Sequence, residues 1–192
     1  YEYAPLELPH QKIIVTNSQK ARLAVDERYQ ERQAQCQEAL HDLQTVIAIQ
    51  NLSELTADVF EQVQEMIRRP VCLRRARHAV TENQRTIQAV EALNKGDIRE
   101  FGQLMNASHL SLKEDFEVSC EELDILVEEA WEIEGVLGSR MMGAGFGGCT
   151  ISIVENDAVN EFVSRVGSHY KERTGRTAEF YIMETGNGAS EV

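Results

Sequence analysis

No glycine precedes Gly96, and only three prolines interrupt the 192 residues. The first half of the chain therefore has few of the residues that break helices. Basic residues are also scarce: 19 Lys and Arg stand against 32 Asp and Glu, a formal charge of −13. A field of that sign repels a nucleic-acid backbone and an anionic bilayer alike, so no nucleic acid and no membrane is expected among the partners. No stretch reaches the roughly 18 uncharged apolar residues of a spanning helix, and no basic segment followed by an apolar one opens the chain. The expected location is cytoplasmic. Cys36, Cys72, Cys120 and Cys149 form no C-x-x-C pair, and the five histidines are equally scattered, which points away from a disulfide framework or a zinc site. With 42% apolar and 27% charged residues there is material for one core. The chain opens on Tyr1 instead of Met, which reads as a piece of a longer polypeptide.

Residues Lys12–Thr16 form a β-branched run behind Pro9 and predict a buried strand. Asn17 or Ser18 then offers a cap for a helix over about Ser18–Ile47, whose apolar stripe would be Val25, Tyr29, Cys36, Leu40, Leu43 and Ile47. A second helix is expected from Thr56, with Leu55 and Phe60 as a hydrophobic staple, ending before Pro70. A third spans Val71–Asn94, a fourth is capped by Asp97, and Ser119 with Glu122 reads as a capping box for a fifth. Six of the twelve glycines then fall between Gly135 and Gly148. Beyond them the pattern alternates strand, helix, strand: Cys149–Val154, Val159–Tyr170 and Ala178–Met183, with a further strand around Ser139–Met142. The fold class is α+β, a mainly antiparallel sheet with helices packed on a face of it.

Gly143-Ala144-Gly145-Phe146-Gly147-Gly148 matches G-x-G-x-x-G. A dinucleotide fingerprint must open a helix, whereas these glycines run into a strand. A protein-kinase glycine loop needs a lysine on that next strand, and the next lysine is Lys171. What remains is a nearly side-chain-free backbone between two strands, serving either as a turn or as a surface for close approach by another loop or a phosphorylated ligand.

The run Gly138-Ser139-Arg140-Met141-Met142 through Gly148-Cys149 resembles the third signature of the GHMP small-molecule kinases, in the form of their galactokinase branch. Arg74-Arg75-Ala76-Arg77-His78 with Glu82-Asn83, Ser108-His109-Leu110-Ser111-Leu112, and Val118 through Asp124 resemble that branch's other signatures in the same order. Tyr1 through Leu6 and Ile14-Val15-Thr16-Asn17 resemble the stretch joining the family's two domains. The resemblance implies a ferredoxin-like C-terminal domain over 18–192, with 1–17 as the end of an N-terminal domain and an interdomain strand. It further implies transfer of the γ-phosphoryl group of ATP to the anomeric hydroxyl of galactose, with Mg2+ on the phosphates. The partners would be galactose, ATP and the N-terminal domain of the same chain. That domain would carry the catalytic Asp and Arg, the phosphate loop and most of the ATP and Mg2+ contacts, leaving no catalytic or metal-binding residue in this chain and making it inactive alone.

By position, Tyr29 falls where the family has a sugar-contacting tyrosine, with Asp26 and Gln30 replacing a commoner Ser and Asn. Read from periodicity alone it is a core tyrosine. Gly143, Ala144, Gly145, Phe146, Gly147 and Gly148 fall where the family supports the phosphate loop, and Met142 replaces a usual Thr. Arg74, Arg75 and Arg77 are expected to pair along their own helix face, and His78 and His109 to make structural hydrogen bonds. Two rival readings stand beside the enzyme: a non-catalytic, sugar-responsive regulator on the same scaffold, and a helical interaction module whose glycine loop is a turn.

Overall fold

A computed structural model describes residues 4–21 and 25–186, so Tyr1–Tyr3 of the family resemblance lie outside the described residues. Strand β1 (Gln11–Asn17) precedes helices α1 (Val25–Leu43), α2 (Ala57–Val63), α3 (Pro70–Asn94), α4 (Ile98–Glu114) and α5 (Glu121–Trp131). Then come β2 (Val136–Met141), β3 (Cys149–Glu155), α6 (Val159–Thr174) and β4 (Glu179–Met183). The four strands form one sheet in the order β2-β3-β1-β4, every pair antiparallel, with Ile14 opposite both Ser152 and Ile182.

Alternation along β1 and β3 decides what each face of the sheet buries. Ile14 and Val154 point to one side, into a core with Leu126 and Ala130 of α5 and Phe162, Val166 and Tyr170 of α6. Ile13, Ile151 and Ile153 point to the other, against Phe101 and Met105 of α4. Helices thus cover both faces, not one: Ile13, Ile151 and Ile153 offer an apolar surface to α4, and Ile14 and Val154 offer one to α5 and α6. The α4–β2 contact is backbone on backbone: a Cβ at Gly102 would lie 2.2 Å from the Leu137 carbonyl oxygen, and one at Gly138 would lie 2.3 Å from that of Gly102. Behind α4 a second core of Ala39, Leu43, Phe60, Cys72, Ala76 and Val80 joins α1, α2 and α3.

Local signals set most element ends. Thr56 caps α2 by accepting from the Val59 N–H at 3.3 Å, and Leu55 and Phe60 are both buried. Pro70 takes the first position of α3, where its missing N–H has no partner to lose. Asp97 caps α4 through the Glu100 N–H at 2.9 Å.

Two expected starts are displaced. The helix read over Ser18–Ile47 is not helical at 18–21 and is described as α1 from Val25 to Leu43, residues 22–24 lying outside the described residues. Ser18 is not its cap: its N–H and hydroxyl both donate to the Gly148 carbonyl, at 2.9 and 2.6 Å, tying the end of β1 to the glycine loop. At the other end Thr45 and Val46 close a tighter turn on Asp42 and Leu43. Cys120, not Ser119, is the N-cap of α5; the Ser119 hydroxyl donates to Asp124 and Glu122 accepts from Lys20.

Candidate functional site

Residues Met142–Gly148 connect β2 to β3, and the Met142 N–H donates to the Cys149 carbonyl at 3.0 Å where the strands part. Left-handed backbone recurs through the loop: φ is +75° at Gly143, +80° at Gly145, +58° at Phe146, +129° at Gly147 and +86° at Gly148. Phe146, the one residue with a large side chain, tolerates that conformation because it is held from several sides. Its ring is buried among Leu112, Val118, Leu123 and Met141, the Arg28 guanidinium lies 4.9 Å from the ring centre, and its N–H donates to the Val118 carbonyl at 2.8 Å.

The close backbone approach expected of these glycines is present, and the walls belong to this chain. A Cβ on Gly145 would lie 2.0 Å from the Val118 carbonyl oxygen, and one on Gly147 would lie 2.8 Å from that of Lys20. Gly145, Phe146 and Gly147 are buried, whereas Gly143 is exposed and Ala144 half-buried. The outward part of the loop is therefore Gly143–Ala144.

Tyr29 sits on the second turn of α1 and is 55% exposed, not on the buried stripe that periodicity assigned it. The buried face of α1, formed by Arg32, Gln35, Ala39, Leu40, Asp42 and Leu43, is rotated from the expected stripe, keeping its Leu40 and Leu43 but not Tyr29. That rotation carries Tyr29 to the rim of an open depression of about 590 Å³, bordered by Val25, Asp26, Tyr29, Gln30, Gly143 and Ala144. The fold thus gathers Tyr29 and the exposed end of the glycine loop around one space, with Gly145, Phe146 and Gly147 buried.

On the loop's other side a cavity of about 360 Å³ is lined by Ile13, Phe101, Met105, Ile151 and Ile153, with Glu82, Arg85 and Arg140 also bordering it. Glu82 accepts from the Ser108 hydroxyl at 2.5 Å and from Arg85 at 2.8 Å, and lies 3.6 Å from Arg140. Burial pushes the Glu82 carboxyl up, but these hydrogen bonds and cations outweigh it and hold it below the usual carboxylate range. Burial also lowers the Arg140 pKa, partly offset by Glu82.

The histidines make structural contacts. His109 is 1% exposed; its Nδ1 accepts from the Met141 N–H at 3.2 Å and its Nε2 lies 3.4 Å from Asp124. His78 bonds Ser111 at 3.0 Å and stacks on Phe116. Burial lowers its pKa to about 4, against the opposing pull of Glu82 and Asp115 and with help from Arg85 and Arg140. Because this folded value lies below the ordinary 6.5, the unfolded chain takes the proton first as pH falls. The stabilisation is complete above pH 6.5 and is lost towards pH 4, amounting to about 2 kcal/mol between pH 7.5 and 5. His78→Gln should therefore flatten the pH dependence of the urea midpoint over that range. Parallel curves for the two proteins would show that His78 does not contribute.

Arg74, Arg75 and Arg77 of α3 do not pair along their own helix, as Arg85 does with Glu82. All three reach across to the turn after α4: Arg74 to Glu117 at 2.9 Å, Arg77 to Asp115 at 3.6 Å, and Arg75 to the Asp115 carbonyl at 2.6 Å and to the Glu117 carboxylate. Arg75 and Arg74 together hold the Glu117 carboxyl below its usual range. Arg32 and Gln35 were not singled out by the sequence reading, because a polar residue on a helix looks solvent-facing until its buried partner is known.

Among the described residues no group of three or more His, Cys, Asp or Glu side chains could hold a metal ion, and no helix is long and apolar enough to cross a membrane. The four cysteines are free.

Residues 89–172 match the family model described as GHMP kinases C terminal. Over its whole length the chain is 50% identical to a galactokinase of Levilactobacillus brevis and 52% identical to one of Fusobacterium nucleatum, covering 50% of each. The chain thus spans about half the length of the curated relatives it matches. A crystal structure of Lactococcus lactis galactokinase complexed with galactose superposes with a TM-score of 0.92 at 44% identity, over 98% of this chain and 48% of that one. The mevalonate kinase of L. major shares the fold, with a TM-score of 0.61 at 21% identity.

Proposed function

Since the chain belongs to the GHMP kinases through a C-terminal domain of the galactokinase kind, we propose that it is the C-terminal part of an enzyme that transfers the γ-phosphoryl group of ATP to the anomeric hydroxyl of galactose, giving galactose 1-phosphate. The observation carrying this reading beyond similarity is the meeting of Tyr29 with Gly143 and Ala144 around one open depression. A phenol at the rim can lay its ring against a sugar and present its hydroxyl to it. The buried part of the loop supplies a rigid back wall for a phosphate loop brought by the preceding half. Phosphoryl transfer depends on positioning, and pinned backbone is suited to that role.

In this reading the chain passes from the preceding domain over residues 1–17, lending β1 to the sheet, and builds the C-terminal domain from 18 to 192. The preceding half brings the catalytic carboxylate. Of the residues bordering the depression only Asp26 is a carboxylate, one ligand and not a metal site, so Mg2+ is assigned to the ATP phosphates and to that half. The four free thiols suit a reducing cytoplasm.

The direct test is conversion of galactose and MgATP to galactose 1-phosphate by the full-length protein, which is expected to turn over while residues 1–192 alone do not. A folded full-length protein that binds galactose without turnover would instead be a sugar-responsive regulator. Tyr29→Phe in the full-length enzyme should raise the galactose KM about tenfold, the worth of one hydrogen bond to the sugar, with the ATP KM unchanged. An unaltered galactose KM would remove Tyr29 from the sugar site.

A further inference from the structure

We propose that Arg32 and Arg75 are positioning residues for phosphoryl transfer, acting through the turn between α4 and α5 to place the glycine loop. The proposal rests on the reading above that this loop backs the nucleotide phosphates. Neither arginine belongs to the depression. Three consecutive carbonyls of the turn accept from them: Asp115 from Arg75 at 2.6 Å, Phe116 from Arg32 at 2.7 Å, and Glu117 from Arg32 at 3.0 Å. The next carbonyl, of Val118, accepts from the Phe146 N–H at 2.8 Å, and Gly145 packs directly against it.

Both guanidiniums come from other helices and both are buried, Arg75 at 1% exposed and Arg32 at 9%. Arg75 is itself oriented by Gln35 at 2.8 Å and by the Glu117 carboxylate. Glu117 adopts φ +54°, a left-handed conformation that a non-glycine residue holds only when its surroundings impose it. The arginine pair supplies that constraint. Two planar forks fix three peptide oxygens, the left-handed residue reverses the chain, and the Val118 oxygen is presented to the loop. The position of Gly145–Phe146 is in this way set by residues on α1 and α3.

The test uses the full-length enzyme with Arg32→Lys and Arg75→Lys, which keep the charge and lose the fork. Two readouts are taken: steady-state kinetics, and hydrogen exchange of the amides of 143–148 measured against those of α6. The expected result for each variant is at least tenfold faster exchange in the loop with α6 unchanged. It is accompanied by a kcat at least tenfold lower and a raised ATP KM, with the galactose KM kept within twofold. Loop exchange and kcat both at the wild-type level would overturn the proposal, as would a uniform rise in exchange with unchanged KM values, the mark of a merely structural role. Faster loop exchange with wild-type kcat would also overturn it, because the loop would then move without consequence for transfer. If either lysine variant fails to fold, Glu117→Gly and Glu117→Val take its place. Both lose the carboxylate that orients Arg75, but glycine accepts the left-handed conformation and valine resists it, so kcat should be at least tenfold lower in the valine variant than in the glycine one. Equal kcat in those two variants overturns the proposal. A wild-type enzyme inactive on galactose would instead refute the function proposed above, and loop exchange alone would then decide whether the arginines hold the loop.

Discussion

Gly145→Val in the full-length enzyme is expected to lower kcat by two orders of magnitude or more and to raise the ATP KM, leaving the galactose KM less affected. Two effects act together. The left-handed φ of +80° disfavours any side chain there and a β-branched one most, at about 1–3 kcal/mol. In addition the new Cβ would sit 2.0 Å from the Val118 carbonyl oxygen, so one of the two backbones must move by an ångström or more. A displacement of about 1 Å at a group that positions reactants can cost on the order of 100-fold in rate. The obstruction lies inside this domain, so the loop would be expelled from its seat before any contact with the preceding half is considered. Gly145→Ala should fall between valine and wild type. Normal turnover and normal ATP dependence in Gly145→Val would show the loop to be a turn and nothing more. A Tm measured on each variant separates a displaced loop from a lost fold.

The second large effect is on stability and lies away from the depression. Gly138→Ala would place its Cβ 2.3 Å from the Gly102 carbonyl oxygen and 2.5 Å from its Cα, so α4 must lift from β2. The seam between them carries Met105 and Phe101 onto the sheet, and opening it loses packing along that whole face. A loss of about 3 kcal/mol or more is expected, which in a domain of this size lowers Tm by roughly 10 °C. Gly96→Ala is the control: it has the left-handed backbone that Gly138 lacks, φ +70°, but nothing within 4 Å of its Cβ, and it should cost no more than about 1 kcal/mol. If Gly138→Ala costs no more than Gly96→Ala, the close approach of α4 to β2 carries no weight.

What could be read in the sequence was what repeats or punctuates. Ile13 to Thr16 are a β-branched run and Cys149 to Val154 a strand pattern, so their strands were legible, as was the cap at Asp97. The glycine loop was legible because four glycines in six residues have few structural uses. Apolar periodicity found Leu40 and Leu43 of α1 but not the rest of its inner face, which is half polar: Arg32, Gln35 and Asp42 are buried against Glu117, Arg75 and Arg68, partners 26 to 85 residues away in sequence. A pattern that counts only apolar residues misses those three and draws Tyr29 into the core beside Leu40 and Leu43. Arg74, Arg75 and Arg77 were misread for the same reason, since pairing along one helix is the local solution and the actual partners, Asp115 and Glu117, lie in the turn after α4. Helices on both faces of the sheet were missed because a short apolar strand does not announce whether it is covered on one side or two.

The strand order also governs how this domain is made. β1 is formed from residues 11–17 yet is flanked in the finished sheet by β3 and β4, and its Ile13 pairs with Met183, 170 positions later. During synthesis both edges of β1 stay unpaired until nearly the whole domain has been translated, while α1 to α5 can already form and pack with one another. Long-range pairing of this kind slows folding and leaves a bare β-template open to neighbouring chains. Deleting residues from Glu179 onward would leave that edge bare for the life of the protein, so the expected product is an aggregate more than an inactive monomer.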